Sequence, residues 1–287
     1  MHWDFDAIGT HWRITAPQAI QQKLRTEILD RIEVFDRSYS RFRSDGLIAA
    51  IRDKAGKYTL PADAEPLLQL YKRLYEMTDG HVSPLVGRAL EQLGYDAEYS
   101  LTPGQVDTIP TWDEALSYEP PELEVKQAGL VLDFGAAGKG YLVDIVAELL
   151  RKDGHEEFVV NAGGDVFVHG RSQRIELEDP LDPTRSLGYV ELRSGHAICA
   201  SAANRRRWRD VHHIINPEDG QSDDSLTASW VITDSCMLAD GLATAVWFAE
   251  PQNLSEEFEF DYLLIAGDSM RHSEGFSATL YTKDKYV

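Results

Sequence analysis

Apolar side chains recur every three or four residues at Ile20, Leu24, Ile28, Ile32 and Phe35, the period at which one stripe of an α-helix faces a core. Pro17 opens this stretch, and the spacing predicts an amphipathic helix over 17–37. Leu67, Leu68, Leu70, Tyr71 and Leu74 predict a second helix over 64–78, closed by Gly80. Across 96–127 the pattern gives way to Pro, Asp and Glu, as in loops around a short helix. From Leu130 the texture changes again. Residues 130–134 read as a strand, Gly135-Ala-Ala-Gly-Lys-Gly140 as a turn, and 141–150 as a helix. Short apolar runs predict strands over 157–160, 166–169, 226–233, 262–266 and 276–281, and 237–248 reads as a helix. Strands and helices do not alternate regularly, so the pattern indicates an α+β class rather than a doubly wound sheet. No linker divides the chain, and a single domain over 1–287 is expected.

Composition narrows the partners. The chain carries 28 basic and 48 acidic side chains, a formal net charge of −20, which repels nucleic acid backbones and anionic lipid surfaces. Two cysteines, Cys199 and Cys236, provide neither a disulfide framework nor a cysteine-rich zinc site. The first residues lack a basic segment followed by an apolar one, so no secretory signal is expected. The longest uncharged apolar stretch, 242–249, is too short to span a bilayer. A cytoplasmic location without membrane insertion is the expectation.

Several segments offer chemistry, each beside a plainer alternative. Glycines in the 135–140 turn let backbone approach a ligand, and the helix start offers free amides to an anion, with Lys139 adding charge. The Walker A spacing is absent, and the same turn also suits an ordinary connection with a solvated lysine. Asp240 and Thr244 stand one helical turn apart and offer hard oxygen ligands suited to magnesium, or else simply pack together. His212 and His213 point to opposite faces of an extended segment, so one of them can enter a site as a general base, or both can lie under a loop. The run Arg205-Arg-Arg-Trp208-Arg209 is unusual in so acidic a chain and suits a phosphate, an acidic partner or a solvated face. Asn161-Ala-Gly-Gly-Asp165 brings backbone close to a planar ligand, or shapes a hairpin.

The order of these segments resembles the ApbE family of magnesium-dependent FAD:protein FMN transferases. The matching pieces are Ile8-Gly-Thr10, Ser40-Arg-Phe-Arg-Ser-Asp45, Asp79-Gly-His-Val-Ser-Pro84, Leu132-Asp-Phe-Gly-Ala-Ala-Gly-Lys-Gly-Tyr-Leu-Val-Asp144 and Asn161–Asp165. Ser201-Ala-Ala-Asn-Arg-Arg-Arg-Trp208, His213-Ile-Ile-Asn-Pro217 and Met237-Leu-Ala-Asp-Gly-Leu-Ala-Thr244 complete the series. The resemblance implies a T-fold-like α+β architecture with mixed or antiparallel sheets, packed helices and a flavin cleft. It places metal ligands on the Ala136 carbonyl, Asp240 and Thr244. Flavin contacts fall on Ile8, Ser40, Phe42, His81, Val82, Ser83, Asp133, Lys139 and Ile214, and the base on His213. Ile8 stands where the family carries Met, Asn216 where it carries Asp, and Ala202 where it commonly carries Gly.

The implied reaction moves the FMN half of FAD to a Thr or Ser hydroxyl of an acceptor flavoprotein, with Mg2+ as cofactor and AMP as the second product. Two rivals are an FAD pyrophosphatase, with water as acceptor, and an FAD-binding protein without turnover.

Overall fold

The computed structural model describes residues 1–281. Its centre is an eight-stranded sheet whose strands lie side by side in chain order, each antiparallel to the next. They are His2–Ala7, Thr10–Thr15, Phe158–Ala162, Asp165–His169, His196–Ala202, Ala228–Thr233, Asp261–Ala266 and Ser269–His272. Insertions between neighbouring strands supply most of the remaining elements. The longest, 16–157, brings the helices Gln22–Tyr39, Leu47–Asp53, Ala64–Met77 and Gly138–Lys152. A later one brings the hairpin Gln173–Asp179 and Asp182–Leu192, which pairs with Ala278–Leu280 in a three-stranded sheet. The insertion after Ala228–Thr233 brings the helix Cys236–Ala245. The class is α+β with antiparallel sheets.

Both faces of the large sheet are covered. Successive side chains along a strand point to opposite faces. Ala197, Cys199, Val231 and Leu264 face the helices, whereas Ile198, Trp230, Ile232, Leu263 and Ile265 face the hairpin sheet. Ala228–Thr233 is consequently buried at every position, which is why it reads as a continuous run rather than an alternation. The helix Gln22–Tyr39 buries Leu24, Ile28, Ile32, Phe35 and Tyr39 on one stripe, as the spacing predicts, but begins only after a bend over 17–21.

One expected element is absent. Residues 130–134 form no strand. Leu130, Val131 and Leu132 are buried, yet the segment runs beside the short 3-10 turn Pro84–Val86, with the Asp133 N–H donating to the Pro84 carbonyl at 2.8 Å. Gly87 permits this approach, since a Cβ there would sit 2.4 Å from the Val131 carbonyl oxygen. A buried apolar run without a neighbouring strand has the same sequence texture as a strand. Among the described residues, no helix is long and apolar enough to cross a membrane.

Candidate active site

Two helices meet here with almost nothing between them. A Cβ at Gly140 would lie 2.2 Å from the Cys236 carbonyl oxygen, so glycine is required for the crossing. The Gly140 N–H, an unpaired amide of the first turn of Gly138–Lys152, donates to Asp240 Oδ2 at 2.8 Å. One turn further on, Asp144 accepts the Cys236 and Met237 N–H groups, each at 2.9 Å, and the Ser235 hydroxyl at 2.8 Å. That carboxylate caps the helix Cys236–Ala245 from outside its own chain segment. The glycine-rich turn thus brings its backbone against a second helix as well as towards open space.

The open space consists of two adjoining cavities. One, of about 680 Å³, is bordered by Ala136, Asp240, Thr244, His213, Ile214 and the segment 81–83. The other, of about 750 Å³, is bordered by Ile8, Ser40 and Phe42. Asp133, Gly135, Lys139 and Arg206 stand in the wall common to both. Every residue that the resemblance names as a ligand, flavin contact or base therefore borders one cavity or the other.

The first cavity carries the oxygen donors. Asp240 is buried, and its Oδ1 lies 3.7 Å from Lys139 Nζ. Burial pushes the Asp240 carboxyl above its ordinary range, against the pull of the Lys139 charge and the Gly140 amide. Thr244 Oγ1 is 3.3 Å from the Ser201 hydroxyl. The Ala136 N–H donates to the Tyr71 hydroxyl at 3.1 Å, fixing the Gly135–Ala136 peptide of the turn. Among the described residues no three His, Cys, Asp or Glu side chains gather as a metal cluster. The available set is one carboxylate, one hydroxyl and a backbone carbonyl, all hard oxygens, which fits magnesium and does not fit zinc. Lys139 ion-pairs with the buried Asp165.

The two histidines part company. His212 is fully buried, its ring 6.0 Å from Trp247, its Nδ1 accepting the Ile214 N–H at 3.3 Å and its Nε2 3.5 Å from Asp224. His213 borders the first cavity, with Nδ1 sealed from solvent and lacking a partner among the described residues. Burial, reinforced by the positive charge of Arg206, holds the His213 ring well below the ordinary imidazole value, so it stays neutral.

Aromatic rings furnish the second cavity. Phe42 stacks parallel to Tyr99 at 5.8 Å, and the buried Arg41 lies 4.1 Å over the Phe42 ring. Arg41 Nε also donates to Asp133 Oδ2 at 2.6 Å. Ile8 occupies the left-handed region, with φ of 45°, beside Gly9 at 73°, in the two-residue turn between the first two strands. A β-branched residue is strained there, and this strain stands at a cavity wall. The sequence does not single out Arg41, Tyr71 or Asp165, and offers Arg206 only within the run 205–209, as suited to a phosphate, an acidic partner or a solvated face. Arg41 and Asp165 lie inside the matching pieces, whereas Tyr71 stands out in the sequence only as part of a helix stripe.

Residues 8–261 match the ApbE family. The FAD:protein FMN transferase of Vibrio cholerae is 26% identical over 273 residues, covering 86% of this chain and 80% of that protein. The FAD:protein FMN transferase of Salmonella typhimurium is 22% identical over 297 residues, covering 94% and 84%. Among solved structures, the apbe protein of Thermotoga maritima superposes with a TM-score of 0.84 at 22% identity, over 96% of this chain and 97% of that one. The flavin transferase ApbE of Vibrio cholerae gives 0.78 at 23% identity, over 96% and 97%. These two share the fold. The matched segment includes every residue bordering the two cavities, and it spans most of the chain: the chain is a member of the ApbE family.

Proposed function

We propose that this protein transfers the FMN half of FAD to a serine or threonine hydroxyl of an acceptor flavoprotein and releases AMP. The observation that carries this reading is a neutral imidazole, His213, in the same cavity wall as Asp240 and Thr244, with a second cavity across a shared wall. FAD has two bulky halves joined by a diphosphate, and two adjoining cavities of small-molecule size suit that shape. The two relatives named FAD:protein FMN transferase support the reading. It includes flavin contacts at Ile8, Ser40, Phe42, His81, Val82, Ser83, Asp133, Lys139 and Ile214. We also read 1–287 as one domain, since strands from both ends of the chain enter one sheet.

Asp240, Thr244 and the Ala136 carbonyl would hold magnesium, which when bound supplies positive charge to the diphosphate. His213 takes the proton of the acceptor hydroxyl, and that oxygen attacks the phosphorus of the FMN half. One P–O bond forms, the P–O bond to the bridging oxygen breaks, and AMP departs with that oxygen and its electron pair. Most of the catalysis is positioning and electrostatics.

The test incubates the protein with FAD, magnesium and fractionated host proteins. Acid-stable flavin on a protein, with one AMP released per flavin attached, is expected. AMP release without attached flavin in every fraction would indicate hydrolysis. Tight FAD binding with no AMP at any magnesium concentration would indicate a binding protein.

A further inference from the structure

Cations are scarce in a chain of net charge −20, and nearly all those bordering the two cavities are already committed. Arg13, Arg41, Arg43, Lys139, Arg205 and Arg207 each face a carboxylate within 4 Å. Lys139, the charge that the sequence offers to an anion at the helix start, is engaged with Asp165 and lies close to Asp240. Arg206 alone among these lysines and arginines has no carboxylate partner among the described residues.

Its neighbours show the contrast. Arg205 and Arg207 are exposed and pair with Glu178 at 2.7 Å and Asp224 at 3.8 Å, while Arg206 between them is half-buried. It stands in the wall shared by both cavities, with its guanidinium 5.8 Å from the centre of the Tyr95 ring. Its charge also reaches Asp240 and His213, lowering the proton affinity of each. A half-buried guanidinium with no carboxylate in contact among the described residues, at the junction of two cavities, is poised for an anion supplied by a ligand.

We propose that Arg206 binds the diphosphate of FAD where the two cavities meet and neutralises the charge that develops on the departing AMP phosphate. This rests on the transfer reading above. As the acceptor oxygen bonds to the FMN phosphorus, the electron pair of the breaking P–O bond settles on the AMP phosphate. The planar fork of Arg206 can meet two of its oxygens at once, which an ammonium cannot.

Calorimetric titration of the native chain, Arg206→Ala and Arg206→Lys with FAD and with riboflavin, in magnesium, tests this. Loss of a charge-assisted pair corresponds to a weakening of about 10- to 100-fold. Arg206→Ala is expected to lose that much affinity for FAD and none for riboflavin, which has no phosphate. Arg206→Lys should fall between, with a thermal midpoint matching the native chain in case alanine disturbs the turn. FAD affinity within twofold of native in both variants, or equal losses for FAD and riboflavin, overturns the proposal. A native chain that binds FAD but never forms flavinylated protein or AMP overturns the transfer reading instead, and the contrast between the two ligands still decides the role of Arg206.

Discussion

The Tyr71 hydroxyl accepts the Ala136 N–H at 3.1 Å, joining the middle of the helix Ala64–Met77 to the turn that starts Gly138–Lys152. Burial pushes the Tyr71 phenol well above its ordinary pKa, so it remains a neutral partner. Through this bond a core residue anchors the Gly135–Ala136 peptide, immediately before the Ala136 carbonyl proposed as a metal ligand.

Tyr71→Phe keeps the ring and removes only the acceptor. An orphaned buried amide costs about 1–3 kcal/mol. The variant should melt lower and need more magnesium for AMP release, since the turn leading into the Ala136 carbonyl is no longer anchored at the Ala136 N–H. Unchanged magnesium dependence with a lowered midpoint would restrict Tyr71 to packing.

Asp240→Asn retains size and can still accept the Gly140 amide, but it loses the anionic ligand and places an amide near Lys139. Magnesium sheds its waters reluctantly and depends on carboxylate charge, so the magnesium requirement should rise at least about tenfold while the fold persists. Thr244→Val, which removes a neutral oxygen, should be milder. Circular dichroism and AMP release across a magnesium series measure both.

The two histidines should separate by type of defect. His213→Ala is expected to slow transfer by about 10²–10⁴-fold with FAD binding intact, the usual effect of losing a general base. His212→Ala empties a fully buried site beside Trp247 and orphans the Ile214 amide, so its main effect is a lower melting temperature, with a stability loss of about 1–3 kcal/mol. Equal rate losses in two well-folded variants would remove His213 as the base.

Acid should affect stability before it affects the base. Burial holds both His212 and His213 below the ordinary value of 6.5. The unfolded chain therefore takes up protons near 6.5 that the folded chain refuses. The stability from these rings is complete above that pH and declines as pH falls through it towards the folded values. The acid limb of the transfer rate at saturating FAD should accordingly lie below 6.5, and Arg206→Lys, which keeps the charge, should not move it. A limb at or above 6.5 would mean that His213 does not titrate as the base.

Much of this was legible in the sequence because the relevant distances are short. Asp240 and Thr244 share a helix face at a spacing of four, and Ala136 and Lys139 sit in one glycine-marked turn. The stripes of Gln22–Tyr39 and Ala64–Met77 follow from the helical period alone. What remained hidden depends on contacts far apart in the chain. Arg41 reaches Asp133, Asp165 reaches Lys139, and Asp144 reaches the start of another helix, and no local pattern marks such partners. The first strand carries a local signal of its own, Trp3 and Phe5 alternating with Asp4 and Asp6, the period-two texture of a half-exposed strand at the sheet edge, but at six residues it is short.

Asp144 provides the last prediction, because it separates support of the site from membership in it. Its two oxygens take three donors at the start of Cys236–Ala245, the helix that carries Asp240 and Thr244. Asp144→Ala leaves Cys236 and Met237 N–H groups without that partner, and cap losses cost about 0.5–2 kcal/mol. For a chain of this size each kcal/mol shifts the midpoint by roughly 2–4 °C, so a drop of several degrees is expected. Asp144→Asn offers one carbonyl oxygen for the same donors and should lose less. Neither side chain borders a cavity, so well below the midpoint both variants should bind FAD as the native chain does, and their magnesium requirement should shift far less than that of Asp240→Asn. A magnesium requirement raised as much as in Asp240→Asn, without any change in midpoint, would place Asp144 in the metal site and not beneath it.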